Sequence, residues 1–139
     1  MENLEKLKSW VDEKNATIKN DFGSYPNIDS RKPISPYSNF TNRINDLNMD
    51  MEAISILKKI RNDIDTVNSS EELLRDLIRQ REICYGAANT FLTSSNLDDD
   101  STDEDIANFG NALREFGFHY TRFKIFDNAI HILEGEIDT

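Results

Sequence analysis

Read for the spacing of its apolar residues, the chain falls into four stretches of helical period. The fullest lies between Asp103 and Leu133, which holds five of the eight phenylalanines. Ile106, Phe109, Leu113, Phe116, Tyr120 and Phe123 follow one another at steps of three or four, the repeat of one helix face. The stripe skips Asp127 and resumes at Ile130, while Phe126 and Leu133 widen it. A face broader than a two-stranded seam needs several neighbours, so this segment is expected to be the hub on which the other helices pack.

The remaining stretches surround that hub. Residues 2–22 place Leu4, Leu7, Trp10, Val11, Ile18 and Phe22 on one side and charged or amide residues on the other, an amphipathic helix that Gly23 is placed to end. Residues 23–35 have no sustained period and, with Pro36, carry all three prolines. They predict a long loop, of the kind that is either functional or a crossover connection. Ser35 followed by Pro36 predicts a helix start, because serine caps free amides and proline there costs no hydrogen bond. From Phe40 and Ile44 the stripe continues through Leu47, Met51, Ile54 and Leu57, then Ile60, Ile64 and Val67. A helix over 36–67 would span about 48 Å at 1.5 Å per residue. Asn45 to Asn48 are weak helix formers and mark a place where it could break.

Ser69 and Glu72 read as a capping box opening a third helix, 70–93, with Leu74, Leu77, Cys84, Ala88 and Phe91 on its seam. Arg81 takes a seam position where an apolar residue is expected, which predicts a snorkelling arginine paired with a carboxylate. Gly86, Ala87 and Ala88 predict a close helix approach. After an acidic linker, 95–101, Ser101 and Glu104 read as a second capping box for the last helix, 102–134, with Gly135 as its stop and a frayed end beyond. The fold class is therefore all-α: a single domain over 1–139, built as an antiparallel bundle of about four long amphipathic helices. The helices are unequal in length, and projecting ends with apolar seams are commonly covered by a second protomer, so a homodimer is expected.

Charge changes this picture by giving the bundle two unlike halves. Residues 1–70 carry 11 acidic and 10 basic side chains, whereas residues 71–139 carry 15 and 6, so nearly all of the net −10 lies in the second half. Without a dense Lys/Arg cluster such a chain is a poor binder of nucleic acid or acidic lipid, since those affinities come largely from released counterions. No apolar run approaches a membrane span and the N-terminus has no signal-peptide core, so a soluble, cytoplasmic protein is expected. Cys84 is the only cysteine, which excludes an intrachain disulfide and predicts buried packing beside Ile83 and Ala87. Asn and Ile each occur 15 times against seven Ala, a bias of A/T-rich codons that suits a low-GC bacterium, a phage or a virus.

Candidate chemistry is sparse. Asp98, Asp100 and Thr102 alternate like calcium ligands, but the glycine such a loop needs is Asp103 and its bidentate glutamate is Phe109. Neither His119 nor His131 has the glutamate three residues earlier that a carboxylate-bridged di-metal bundle needs. Asp127, His131 and Glu134 share a helix face and read as an exposed charged stripe rather than as metal ligands. There is no phosphate-binding glycine loop, nucleophile elbow or paired cysteine, so neither a cofactor nor a metal is expected. Arg114 to His119, the sequence REFGFH, resembles the Arg-x4-His element of HEPN ribonucleases, with Glu115 where that family usually has a smaller polar residue. The resemblance covers six residues and implies a helical domain in which Arg114 and His119 of two protomers cleave RNA.

These features point to a non-enzymatic, acidic helical protein that binds another macromolecule as an inhibitor, adaptor or regulator. The surface expected to do so is Asp98, Asp99, Asp100, Asp103, Glu104 and Asp105, and the partner a protein with a basic surface. A phage or viral inhibitor of a host nucleic-acid enzyme or defence system fits this reading; so does an immunity protein or an antitoxin. The enzymatic alternative is the HEPN-like ribonuclease.

Overall fold

A computed structural model describes residues 2–22, 40–93 and 97–135. Four helices account for nearly all of them: α1 (Glu2–Asp21), α2 (Phe40–Thr66), α3 (Ser70–Thr93) and α4 (Asp103–Leu133). No strand occurs among the described residues, so the all-α bundle expected from periodicity is the fold. The expected loop, the Ser35–Pro36 helix start, the Gly23 stop and the C-terminal tail lie outside the described residues.

Side-chain pairs give the helix directions. Along α3, Arg81 meets Asp127, Tyr85 meets Phe123 and Phe91 meets His119, so α4 recedes as α3 advances and the two are antiparallel. Met49 and Glu52 of α2 meet Thr121 and Arg122 in ascending order, so α2 runs parallel to α4. The start of α1 lies at the end of α4, where Asn3 approaches Gly135. Helix α4 packs on all three others, which makes it the hub, whereas α3 rests mainly on α4.

The core occupies one end of this bundle. Leu7 and Val11 of α1, Leu57 and Ile60 of α2, Leu73 and Leu77 of α3, and Phe126, Ile130 and Ile132 of α4 are all essentially inaccessible. Burying each such side chain stabilises the fold by roughly 1.5–3 kcal/mol before the entropy of ordering it is subtracted. Ala129, fully buried, leaves room for the neighbours that crowd α4 here. Cys84 is buried as expected, and loss of water around it pushes its thiol above the ordinary range; Arg122 works against that shift and Glu52 with it.

Local chemistry explains the ends. Ser69 accepts the Glu72 amide at 3.1 Å, the expected cap of α3. At the end of α4, Gly135 takes φ +80 and donates to Ile132 O, and a Cβ there would also sit 3.0 Å from the Asn3 amide nitrogen. The positive φ is what favours glycine there, since the end of the Asn3 side chain can move aside. Gly117 is the other tight place: a Cβ would lie 3.0 Å from Met49 Cε, so the end of the Met49 side chain of α2 rests on α4 there.

Four expectations are corrected. Helix α2 runs unbroken through Asn45–Asn48, whose weak propensity, a few tenths of a kcal/mol each, does not break it. Met51 is exposed, and Ala53 and Ile56 are buried in its stead. Gly86 has open space around it, so it marks no close helix approach. The fourth concerns the α4 stripe: Ile106, Leu113 and Tyr120 are 52%, 48% and 45% exposed, so its outer line is surface. Phe109, Phe116 and Phe123, one step toward α3, are half-buried. The core line of α4, through Phe126, Ala129 and Leu133, lies more than 90° around the helix from Tyr120.

Candidate partner-binding surface

The acidic segment before α4 is a built turn. Asp98 accepts the Asp100 amide through Oδ1 at 2.9 Å, and its own amide donates to Ser101 Oγ at 2.8 Å. The Ser101 amide also donates to Asp98 O. Such an aspartate folds the chain back on itself, which gives Asp98 a structural role that its place in an acidic run conceals. With Ser101 spent on this turn, the cap falls one residue later than expected. Thr102 Oγ1 accepts the Asp105 amide at 3.1 Å while the Thr102 amide donates to Asp105 Oδ2 at 3.0 Å. The capping box is therefore Thr102 with Asp105, not Ser101 with Glu104.

This divides the six acidic candidates. Asp98 and Asp105 hold the turn and the helix end. Asp99, Asp100, Asp103 and Glu104 are exposed, with no ion pair to any described residue. Asp103 and Glu104 stand over the positive end of α4, which steadies them there, whereas Asp99 and Asp100 have no such reason.

Beside this edge runs the uncovered line of α4. Phe116 stacks on Tyr120 and Tyr120 on Phe123, at centroid distances of 5.6 and 6.0 Å, and Tyr85 of α3 joins Phe123 at 5.5 Å. Lys124 lies over the Tyr120 ring at 5.2 Å. An aromatic ladder from Phe116 through Tyr120 to Phe123 and Tyr85 thus lies along the open side of the α3–α4 pair, with Lys124 over its middle ring.

The remaining candidates are placed separately. Arg81 Nη1 donates to Asp127 Oδ1 at 3.0 Å and its Nε to Glu82 at 3.2 Å, the paired arginine expected from the sequence. His131 also approaches Asp127, at 3.4 Å, so that carboxylate already faces a guanidinium and an imidazole. No cluster able to hold a metal ion occurs among the described residues. Five residues along a helix rotate about 140°, so Arg114 and His119 point to different sides of α4. Arg114 donates to Asn111, while His119 stacks on Phe91 at 5.6 Å with Glu115 at 3.9 Å. The structure does not bring that pair together within the chain. A groove of about 440 Å³ lies where α2 turns into α3; of its lining charges, Asp76 holds Arg79 and Asp63 holds Lys59 outside the groove, and the mixed signs of Glu72 and Arg75 present no single-sign field.

No protein-family model, curated protein or solved structure matches this chain. The geometry alone carries the functional argument. No described helix is long and apolar enough to cross a membrane. Two participants escaped the sequence. Arg122 pairs with Glu52 across α4 and α2, next to Cys84, although they lie 70 positions apart. Tyr85, expected only as part of α3, supplies the link between the aromatic ladder and that helix. Neither has a local sequence signal.

Proposed function

We propose that this protein acts by binding another macromolecule, a protein with a basic surface, through the acidic edge that begins α4. The observation that carries the reading is the set Asp99, Asp100, Asp103 and Glu104. Asp99 and Asp100 sit on a turn rigidified by Asp98 and Ser101, Asp103 and Glu104 on the first turn of α4 beside it, and no described cation pairs with the four. Charges held on a fixed turn present a defined field, which speeds association with a positive patch and lowers affinity for acidic surfaces. Inhibitor, adaptor and regulator are roles this mode of binding suits, and a basic cleft evolved for nucleic acid is a natural target. The acidic balance of the second half supports a protein target over nucleic acid itself.

The test is affinity capture from the native host with the wild-type chain and with Asp98→Asn, Asp99→Asn and Asp100→Asn combined. Asparagine at 98 still accepts the turn hydrogen bond, so the fold is retained. The expected result is a basic protein held by the wild type whose association with the variant is about three- to tenfold slower at low salt and less salt-sensitive. Equal rates and equal salt slopes for both forms would reject the acidic edge as the binding surface.

A further inference from the structure

We infer that the uncovered line of α4 is a self-association seam, occupied by the antiparallel α4 of a second copy of this chain. The seam is a regular object. Ile106, Leu113 and Tyr120, each about half exposed, recur at seven-residue intervals, so Leu113 is the midpoint and the other two lie about 10 Å to either side. A two-fold axis through Leu113 sets Leu113 against its own copy and Ile106 against Tyr120 of that copy, covering all three at once. The line ends where it should, because the next position in the repeat is Asp127, already engaged by Arg81.

A parallel pair would also cover the three residues, and charge decides between the two. Parallel alignment sets the acidic turn and first helical turn of one copy, Asp98 to Asp105, beside the same six carboxylates of the other. Antiparallel alignment sets them beside the other end of the seam, where Lys124 stands. About the Leu113 axis, Lys124 of one copy falls level with Thr102 and Asp103 of the other, and Lys124 and Asp103 lie on the same flank of the seam. Each copy then gives and receives one such pair. The flank toward α3 carries Phe109 and Phe116, which the same axis brings level with Phe116 and Phe109 of the copy. The opposite flank is kept low by Gly110, around which a Cβ would meet nothing within 4 Å. Ile106, Leu113 and Tyr120 keep about half of their surface exposed, so the copy adds to the bundle without displacing a described helix.

Sedimentation of the wild-type chain should give a dimer of the 16.0 kDa protomer at micromolar concentrations. Leu113→Asp should raise the dissociation constant by at least about a hundredfold, since it sets two carboxylates together on the axis. Its helix content and the protection of the core around Phe126 should be unchanged. Geometry is read by cysteine crosslinking in a Cys84→Ala chain. Leu113→Cys should link to its own copy; Ile106→Cys should not, but should link to Tyr120→Cys when the two proteins are mixed. Lys124→Glu should weaken the dimer about tenfold, and mixing it with Asp103→Lys should restore pairing between the two variants. A wild-type chain monomeric at about 100 µM, well above the dissociation constants of stable dimers, would overturn the inference. So would a dimer indifferent to Leu113→Asp, and so would self-linking of Ile106→Cys, which requires a parallel pair. None of these readouts involves the acidic-edge partner, so this inference and that reading fail separately.

Discussion

Truncating Phe126 is the sharpest probe of where the core lies. The side chain is 1% exposed and is the largest of the fully buried groups, enclosed by core residues of the other helices. Removing a ring from such a site costs the lost transfer energy and leaves a cavity that a close-packed bundle only partly fills, together about 3–5 kcal/mol for Phe126→Ala. A chain of 139 residues unfolds with an entropy of about 0.3 kcal/mol/K, so this loss should lower the Tm by roughly 10–17 °C. Ile83, 55% exposed on the outer side of α3, is the control, and Ile83→Ala should leave the Tm within about 2 °C. Phe116→Ala belongs between them, because that ring is half-buried and stacked on Tyr120, worth about 1–2 kcal/mol together. Thermal and urea unfolding followed by circular dichroism would give the order. If Phe116→Ala cost as much as Phe126→Ala, the core would run along the whole α4 stripe and the placement of its outer line at the surface would be refuted.

Thr102→Ala should lose about 1 kcal/mol by removing the cap, while Ser101→Ala should lose less, a ranking that urea midpoints of the two variants would check. Arg81→Ala should cost about 1–2 kcal/mol, since Asp127 keeps only His131 as a partner. The double variant with Asp127→Ala should cost less than the two singles together, as a double-mutant cycle would reveal. Cys84 links stability to alkaline pH. Its thiol is raised in the fold by desolvation, so the unfolded chain loses that proton first as pH climbs past the ordinary thiol value, about 8.5. The stability that the neutral thiol contributes is full below that pH and is lost as pH rises toward the folded value. The stability gap between wild type and Cys84→Ala should therefore narrow as pH climbs past about 8.5, and a constant gap would contradict the burial.

The sequence made the helices legible because each of them rests on local information. Ser69 before Glu72 and Gly135 after Leu133 mark ends through hydrogen bonds that reach only three or four residues. The α4 cap was misplaced by one residue because Ser101 and Thr102 are both capping residues with an acid three positions on. Only the turn formed by Asp98, which occupies the Ser101 hydroxyl, decides between them. The stripe on α4 was legible as a stripe, yet period reports that a face is apolar and not whether a neighbour reaches it. Phe123 finds α3, whereas Leu113 stays about half exposed. Contacts between helices far apart in sequence, such as Glu52 with Arg122, left no trace in local pattern at all.

The two surfaces assigned to α4 should respond to salt with opposite sign, and this separates them without any substitution. Binding of a basic partner to Asp99, Asp100, Asp103 and Glu104 is an attraction between unlike charges, so added salt weakens it. Pairing of two copies brings together two bodies of net charge −10. With centres about 30 Å apart in water, two such charges repel by about 14 kcal/mol unscreened. About a third of that survives at 0.01 M salt, and only a few hundredths at 0.15 M, where the screening length is about 8 Å. The two Lys124–Asp103 pairs are exposed and contribute at most about 1 kcal/mol each, so they cannot reverse the trend. Repulsion wins, and the dimer should tighten as salt rises from 0.01 to 0.15 M. Sedimentation equilibrium across that range measures it directly. A dimer that loosens with salt would mean that opposite charges hold the copies together, and the apolar seam through Leu113 would not be what joins them.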